Sequence, residues 1–271
     1  MNRIILMIVL LIAVFASGFL LVSLFRRLFH KRLSKPVYAL LSVALSLVIA
    51  VSGFIVYLNI HYEAESAAVE VFSNGSAVHA EKTEFGYVFD GKGSETALVF
   101  YPGAKVDSEA YAPLMQKIAA RGVDCFLLNV PFGMALFDMN AADAVLKKYD
   151  YRHWMISGHS MGGVAASSYV SSHHGAADAL VLLASYPSQK IENTVDVLSI
   201  YGSNDKVLNM EAYNNSASNL PEKSEEFIIK GGNHAGFGNY GEQSGDGKAD
   251  ITNEAQQRRT AEKIAELAGK F

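Results

Sequence analysis

The hydrophobic pattern divides the chain into two parts. Two uninterrupted apolar runs, residues 4–25 and 37–60, contain no charged side chain. At a rise of about 1.5 Å per residue, each run is long enough to cross a hydrocarbon core of about 30 Å as a helix. After residue 60, shorter apolar segments alternate with polar ones, as in a globular domain. The pattern predicts a two-helix transmembrane anchor (1–62), a linker (63–82) and a globular domain (83–271).

Within the domain, strand-like and helix-like segments alternate. Apolar runs predict strands at 84–90, 97–103, 123–130, 153–158, 178–185, 195–202 and 225–231. Helical spacing is found at 109–122, 137–149, 160–174, 209–220 and in the C-terminal segment from residue 253. This alternation predicts an α/β fold with a mostly parallel, doubly wound sheet flanked by helices. In such a sheet, functional side chains gather at the carboxyl ends of the strands.

Charge around the apolar runs predicts the orientation of the anchor. The loop between the runs holds five basic residues, Arg26, Arg27, Lys31, Arg32 and Lys35. Basic loops are retained in the cytoplasm, so we expect a multi-pass protein of the cell membrane with an extracytoplasmic domain. A cleaved signal peptide is the alternative. It is disfavoured because the first run continues well past the loose cleavage pattern at 14–16.

Composition limits the partners. The 271 residues carry a net charge of −4, and no basic patch follows residue 60, so we expect no nucleic-acid binding. The single cysteine, Cys125, excludes an internal disulfide and lies in an apolar run, which predicts a buried thiol. The lipid bilayer is the expected partner, through the two transmembrane helices.

A serine between glycines marks the end of one predicted strand. Residues 158–162 read Gly-His-Ser-Met-Gly, between a predicted strand and a predicted helix. This context is typical of a nucleophile elbow, a strained turn that exposes the serine hydroxyl. Larger side chains at Gly158 or Gly162 would collide across the turn, and Gly163 allows close packing on the sheet. We predict Ser160 as the nucleophile; a plain connecting turn is the alternative.

A serine hydroxyl needs a base, and the base needs a carboxylate that orients it. Asp205 lies at the carboxyl end of a predicted strand, whereas Asp178 and Asp196 lie at the beginnings of strands. His234 lies in a glycine-rich loop after the next strand and is the only histidine after His174. The chain order serine, acid, histidine accompanies nucleophile elbows. We therefore predict Asp205 as the acid and His234 as the base.

The other histidines have simpler interpretations. His159 is a spacer within the elbow, His153 begins a strand, and His173 and His174 end a helix, where they interact favourably with its last carbonyls. A metal site formed by His173, His174 and Asp178 is the less favoured alternative. No metal or organic cofactor is implied.

The negative oxygen formed when serine attacks a carbonyl requires backbone donors. We predict the amide of Met161, at the N-terminus of a helix, and the amide of Ala104, in the turn after strand 97–103. Lys105 would add positive potential there. For substrate binding, the sequence indicates the apolar side chains of Phe132 and Met134, which follow a strand, and of Phe237 near His234, with simple packing as the alternative for each.

Four segments resemble the α/β-hydrolase superfamily, and the resemblance covers about residues 84–271. They are the oxyanion turn "YPG" (101–103), the elbow "GHSMGG" (158–163), and the acid and base segments "YGSND" (201–205) and "GGNH" (231–234). The resemblance implies a catalytic triad of Ser160, Asp205 and His234 in a compact bacterial subgroup. The sequence departs from the family at Pro102, where histidine is common. Dienelactone hydrolases share the fold but use a cysteine nucleophile, so the serine argues against that chemistry.

The segment 186–194 is too short for a substantial lid, so we expect a shallow, open site. The sequence thus predicts a membrane-anchored serine hydrolase of carboxylesterase type that acts on a small-molecule ester, a thioester or a lipid-derived ester. An acyltransferase and a peptidase use the same triad and remain alternatives. A catalytically silent, membrane-tethered binding domain is disfavoured because all three triad residues are present. A transporter is disfavoured because the spans contain no charge.

Overall fold

The structure is a computed structural model, and it describes residues 3–30, 32–73, 78–91 and 95–271. The chain forms two compact units, one that ends at Ile60 and one that begins at His61. Some residues used in the predictions lie outside the described residues. They are Met1 and Lys31 of the predicted topology and residues 74–77 of the predicted linker.

The first unit consists of two helices, α1 (Arg3–Leu28) and α2 (Lys35–Asn59). Both are long and apolar enough to cross a membrane, as the sequence predicts. They approach closely at a small residue, because a Cβ atom on Gly18 would lie 2.1 Å from the Ser46 hydroxyl oxygen. The Ser46 hydroxyl donates to the carbonyl of Ser42 in its own helix (2.8 Å). Small residues and internally bonded hydroxyls are typical of helix contacts in membranes.

The second unit is built on one eight-stranded sheet with the order β1-β2-β4-β3-β5-β6-β7-β8. Strands β3 to β8 pair in parallel, and β1, β2 and β4 pair antiparallel at one side. The mostly parallel sheet is the predicted one. The strands are β1 (Ala80–Thr83), β2 (Gly86–Phe89), β3 (Thr96–Tyr101), β4 (Asp124–Leu128), β5 (His153–His159), β6 (Ala179–Leu183), β7 (Asp196–Gly202) and β8 (Glu225–Ile229).

Six helices accompany the sheet: α3 (Ser66–Val69), α4 (Ala112–Ala119), α5 (Ala142–Leu146), α6 (Met161–Ser172), α7 (Met210–Asn215) and α8 (Asn253–Ala268). Short 3₁₀ turns lie at Glu70–Phe72, Ser108–Tyr111, Pro131–Gly133, Ala135–Phe137, Ser216–Asn219 and Ala235–Phe237. The helix predicted over 137–149 is shorter, because irregular turns occupy its first part.

The sheet is buried on both faces. Along β4, Cys125 and Leu127 belong to one core cluster and Phe126 and Leu128 to the other, since successive side chains of a strand point to opposite faces. Helices α4 and α8 cover the first face, and α5 and α6 cover the second. Two-sided burial explains why these strands read as continuous apolar runs. Cys125 is a buried free thiol.

The segment expected to be a linker differs from the expectation, because its described parts belong to the second unit. Ala68 of α3 is fully buried, and Val71 and Val78 are part of the core. Strand β1 pairs with β2. Tyr62 forms an isolated β-bridge with Val106. The chain is therefore packed into the globular unit from the first residues of that unit onward. The elements of this segment are too short to show a periodic pattern in the sequence.

Candidate active site

Ser160 stands at the sharp turn between β5 and α6. Its backbone has φ 54° and ψ −123°, a region that costs a residue with a side chain about 1–3 kcal/mol. The turn is held by two hydrogen bonds. The Ser160 amide donates to the carbonyl of Leu183 at the end of β6 (2.8 Å), and the Ser185 hydroxyl donates to the carbonyl of Ser160 (2.7 Å). The surrounding strands therefore maintain the strained conformation.

Glycines make the turn possible. A Cβ atom on Gly158 would lie 2.4 Å from the carbonyl oxygen of Gly162. A Cβ atom on Gly162 would lie 2.3 Å from the carbonyl oxygens of both Tyr101 and Pro102. The first turn of α6 thus lies directly against the end of β3, where the chain turns toward Ala104. The collisions expected from the sequence are present in the structure.

Asp205 and His234 form a buried pair. The Nδ1 atom of His234 lies 2.8 Å from Oδ2 of Asp205, and neither side chain is more than 2% exposed. The other carboxylate oxygen, Oδ1, accepts the amides of Val207 and Leu208, both at 2.8 Å. An ionised carboxylate only accepts hydrogen bonds, so Nδ1 carries the proton and Nε2 presents its lone pair. Nε2 is buried, and no group in the described part of the chain forms a hydrogen bond with it.

Ser160 and His234 line the same cavity, which has a volume of about 160 Å³. The cavity is bounded by the elbow, the end of β6 and the loop that carries Asp205. The other lining residues are Met161, Val164, Ala184, Ser185, Tyr186, Val207, Leu208 and Asn209. The structure therefore brings the three residues of the predicted triad to one edge of the sheet. An unprotonated imidazole nitrogen can accept the proton of a serine hydroxyl that comes within hydrogen-bond reach.

The two amides predicted to stabilise a negative oxygen are also at this edge. Met161 is the first residue of α6, and Ala104 lies in the turn after β3 that packs against the start of α6. Among the backbone hydrogen bonds that the described residues form outside helices and strands, none is donated by either amide. Both are available to an acceptor that enters the site. The backbone of Lys105 next to them holds the turn in place, since its amide donates to the carbonyl of Gly133 (2.7 Å).

His159, expected to be a spacer, belongs to a buried polar cluster that sequence reasoning missed. Its Nδ1 atom lies 2.8 Å from the hydroxyl oxygen of Tyr111, and this oxygen accepts the amide of Gly103 in the turn after β3 (3.1 Å). The imidazole ring lies 4.5 Å from that of His234. Burial, followed by repulsion from His234, holds the pKa of His159 well below its ordinary value. The hydrogen bonds of Tyr111 to His159 and to Gly103 therefore connect the elbow with the turn of Ala104.

The three predicted substrate-binding side chains do not line the cavity beside Ser160 within the described structure. Phe237 is fully buried and packs with its ring 5.5 Å from His159. Met134 is half-buried. Phe132 has φ 56° and an exposed ring, because the turn after β4 directs it outward. Tyr186 and Asn209, which do line the cavity, follow β6 and β7. The rule that located Asp205 at the end of a strand could also have located them.

The alternative metal site is not assembled. His173 stacks on Tyr169, and His174 pairs with Glu192 (2.8 Å). Among the described residues, no group of three or more histidine, cysteine, aspartate or glutamate side chains could hold a metal ion.

Comparison with known proteins defines the family. The Alpha/beta hydrolase family matches residues 97–258, more than half of the chain. The chain therefore belongs to the alpha/beta hydrolase family. No curated protein matches the sequence significantly.

Solved structures show the same fold. A predicted CIB-like hydrolase from Thermoplasma acidophilum aligns over 70% of this chain and 99% of its own, with 18% identity and a TM-score of 0.51. Est1E from Butyrivibrio proteoclasticus aligns over 72% and 100%, with 14% identity and a TM-score of 0.51. An epoxide hydrolase mutant from Vigna radiata aligns over 72% and 99%, with 11% identity and a TM-score of 0.53. At these identities the similarity concerns the fold alone, and the predicted α/β-hydrolase fold is confirmed.

Proposed function

We propose that the protein is a membrane-anchored serine hydrolase that cleaves carboxylic esters, thioesters or lipid-derived esters through an acyl-enzyme on Ser160. The observation that supports this proposal is the buried pair of Asp205 and His234. It leaves an unpartnered imidazole nitrogen in the cavity that Ser160 lines. Such a pair is what converts a weakly nucleophilic hydroxyl into an attacking group.

In the first half-reaction, Oγ of Ser160 attacks the carbonyl carbon while Nε2 of His234 takes the hydroxyl proton. The imidazolium that forms is stabilised by the carboxylate of Asp205, which remains ionised. The carbonyl oxygen becomes negative and accepts the amides of Met161 and Ala104. When the tetrahedral intermediate collapses, the bond to the leaving oxygen breaks. His234 then donates its proton to the departing alcohol, which leaves the acyl group on Ser160.

In the second half-reaction, water replaces the alcohol. His234 removes a proton from the water as its oxygen attacks the acyl carbon, and the same two amides hold the negative oxygen. Collapse returns the proton to Oγ of Ser160 and releases a carboxylic acid. The reaction thus consumes one water and one ester and yields one acid and one alcohol.

The volume of the cavity limits the acyl group. A volume of about 160 Å³ is small beside the roughly 300–1,000 Å³ of clefts that hold drug-sized ligands. Val164, Leu208 and Tyr186 form apolar walls around this space. We infer that the enzyme prefers short acyl groups.

We place the hydrolase unit outside the cytoplasm, anchored by α1 and α2. Two apolar helices and the cluster of basic residues between them support this topology, because basic loops are retained in the cytoplasm.

A fluorophosphonate probe tests the nucleophile, because it reacts only with an activated serine. We expect the full-length protein in detergent to be labelled and to release acetate from ethyl acetate. Ser160→Ala should lose the label and reduce kcat/KM by on the order of 10⁴-fold or more, by analogy with other triads. Ser172→Ala, at the exposed far end of the same helix, is the matched control and should retain both. A folded wild-type protein that is inert to the probe would contradict the proposal.

A further inference from the structure

The turn after β4 presents an apolar cluster to solvent. Phe132 is 55% exposed and Phe137 is 54% exposed, and their rings lie 6.0 Å apart, nearly perpendicular to each other. Leu136 and Met139 in the same segment are also exposed. Single exposed apolar side chains are ordinary, whereas a contiguous group of them marks a surface that another apolar phase covers. We call these four residues the apolar turn.

The apolar turn is held firmly. The hydroxyl of Tyr101 donates to the carbonyl of Met139 (2.8 Å), and the carbonyl of Gly133 accepts the amide of Lys105 (2.7 Å). Phe132 adopts a left-handed backbone conformation with φ 56°, which is uncommon for a residue with a bulky side chain. The fold therefore holds these rings outward.

The apolar turn lies beside the candidate active site. It follows the carboxyl end of β4, at the edge of the sheet where Ser160 stands. Its segment Ala135–Phe137 packs near α6, whose first residue, Met161, is exposed next to Ser160. The apolar turn and the first residue of α6 are therefore both exposed at this edge of the sheet.

The second unit begins at this same edge of the sheet. Only Ile60 and His61 separate Asn59, the last residue of α2, from Tyr62. The amide of Tyr62 donates to the carbonyl of Lys105 (2.7 Å), and the carbonyl of Tyr62 accepts the amide of Asp107 (3.0 Å). The chain that follows α2 therefore enters the second unit next to the turn that holds Ala104.

We propose that the apolar turn docks on the bilayer surface and that the substrate is a short-chain acyl ester of an alcohol that resides in the membrane. This inference rests on the proposed esterase function and membrane anchor. The cavity accepts the short acyl group, while the apolar part of the alcohol stays among the lipids. Ser160 attacks the ester carbonyl at the interface, the acid leaves into water, and the alcohol remains in the bilayer.

Fluorescence quenching tests the docking. The native Trp154 is first replaced by phenylalanine, so that a new tryptophan is the one fluorophore of its kind. The full-length Trp154→Phe/Phe137→Trp variant is reconstituted in phosphatidylcholine vesicles whose acyl chains carry bromine, a quencher of nearby tryptophan. The matched control is Trp154→Phe/Phe271→Trp, because Phe271 is also exposed but stacks on His153 at the opposite end of β5. We expect brominated lipid to quench the new tryptophan at 137 and to leave that at 271 unaffected. A residue 137 signal that is shifted but unquenched would instead indicate contact with a second copy, and it would overturn the proposal.

Kinetics tests the substrate class with two esters that share one acyl group. Hexadecyl acetate partitions into the vesicles, ethyl acetate stays in water, and both release acetate. The Leu136→Ser/Phe137→Ser variant should lower kcat/KM for hexadecyl acetate by about tenfold or more, since burying each of these side chains contributes to membrane affinity. Its activity on ethyl acetate should stay within about twofold of wild type, as should both activities of Phe271→Ser. An equal loss on both esters, or a loss on neither, would contradict the inference.

The outcomes separate the two proposals. If ethyl acetate is hydrolysed through Ser160 but residue 137 is not quenched, the esterase function stands and the docking is wrong. If residue 137 is quenched and neither ester is hydrolysed, the apolar turn docks as proposed and the esterase function is wrong. Release of the wild-type protein from membranes by alkaline carbonate would show that α1 and α2 do not anchor the protein. The docking proposal would then be wrong as well.

Discussion

At the scale of single residues, the candidate site combines strain with buried polar contacts. Ser160 is held at a positive φ by glycines that cannot be replaced without a collision with backbone atoms. His159 next to it is fully buried and neutral, and its partner Tyr111 reaches the amide of Gly103. A buried neutral imidazole makes stability depend on pH, since acid favours any state in which the ring can take up a proton.

We predict that His159 makes the protein acid-sensitive. Its pKa in the folded state lies below the unfolded value of about 6.5, so below that pH the unfolded chain binds more protons than the folded one. The free energy of unfolding should therefore fall as the pH drops below about 6.5, by up to about 1.4 kcal/mol per pH unit from this group. Above about pH 6.5, His159 does not make the free energy of unfolding depend on pH.

Urea unfolding of the full-length protein in detergent between pH 7 and pH 5 measures this slope. His159→Gln should be less stable than wild type at pH 7, because the smaller amide fills the buried site of the imidazole less well, but it should lose less further stability at pH 5. His174→Gln is the control, because that side chain is exposed, and it should retain the wild-type slope. Equal slopes for wild type and His159→Gln would show that His159 is not the group responsible.

At the scale of elements, α8 positions the loop that carries His234. The side-chain oxygen of Gln256 accepts the amide of Asn233 (3.0 Å), and its side-chain nitrogen donates to the carbonyl of the same residue (2.8 Å). Asn253 donates to the carbonyl of Gly238 (3.0 Å). The first turns of α8 thus hold both ends of the segment 233–238, and the imidazole lies between the two attachments.

We predict that Gln256→Leu reduces catalysis through this loop. The substitution leaves the buried amide and carbonyl of Asn233 without partners, which costs about 1–3 kcal/mol, and releases the residue that precedes His234. We expect kcat for ethyl acetate to fall about tenfold or more with little change in KM, since the acyl cavity does not include Gln256. The exposed Arg258 is a control on the same helix, and Arg258→Ala should retain wild-type kinetics. A variant that loses stability while its kcat stays unchanged would contradict this role.

Sequence patterns predicted the sheet and the residues brought together at its edge, because both follow from simple rules. The central parallel strands are buried and apolar, and the chemistry-bearing residues Ser160, Asp205 and His234 each follow a parallel strand. The cavity walls were missed because Val164 and Leu208 are ordinary apolar residues, whose place depends on the path of the loops. Phe132 and Phe237 were predicted to bind substrate because they are apolar and lie close in sequence to a strand end or to His234, and neither feature distinguishes a buried ring from an exposed one.

At the scale of the whole molecule, two apolar helices and a hydrolase unit are joined by a short stretch of chain. The chain leaves α2 at Asn59 and is hydrogen-bonded within the second unit from Tyr62 onward. If the helices anchor the protein as proposed, a connection this short favours substrates that reach the membrane surface.

We predict that the hydrolase unit is extracytoplasmic. The only native cysteine, Cys125, is buried, so a new exposed cysteine can report its own side of the membrane. In intact cells a membrane-impermeant maleimide should label Lys223→Cys, whereas Arg32→Cys, in the basic loop, should react only after permeabilisation. The wild-type chain is the control for background reaction at Cys125. The reverse order of labelling would place the hydrolase unit in the cytoplasm.

The order of strands has a consequence for how the enzyme loses activity during unfolding. Ser160 follows β5, which has partners on both sides, whereas His234 follows β8, a strand at the margin of the sheet with β7 as its one neighbour there. Local opening begins where the fewest bonds must break, so heat or denaturant detaches the margin first. The loop of His234 then keeps its bonds to α8 and to Asp205 but loses the support of β8, so we expect turnover to end before the bulk of the domain has melted.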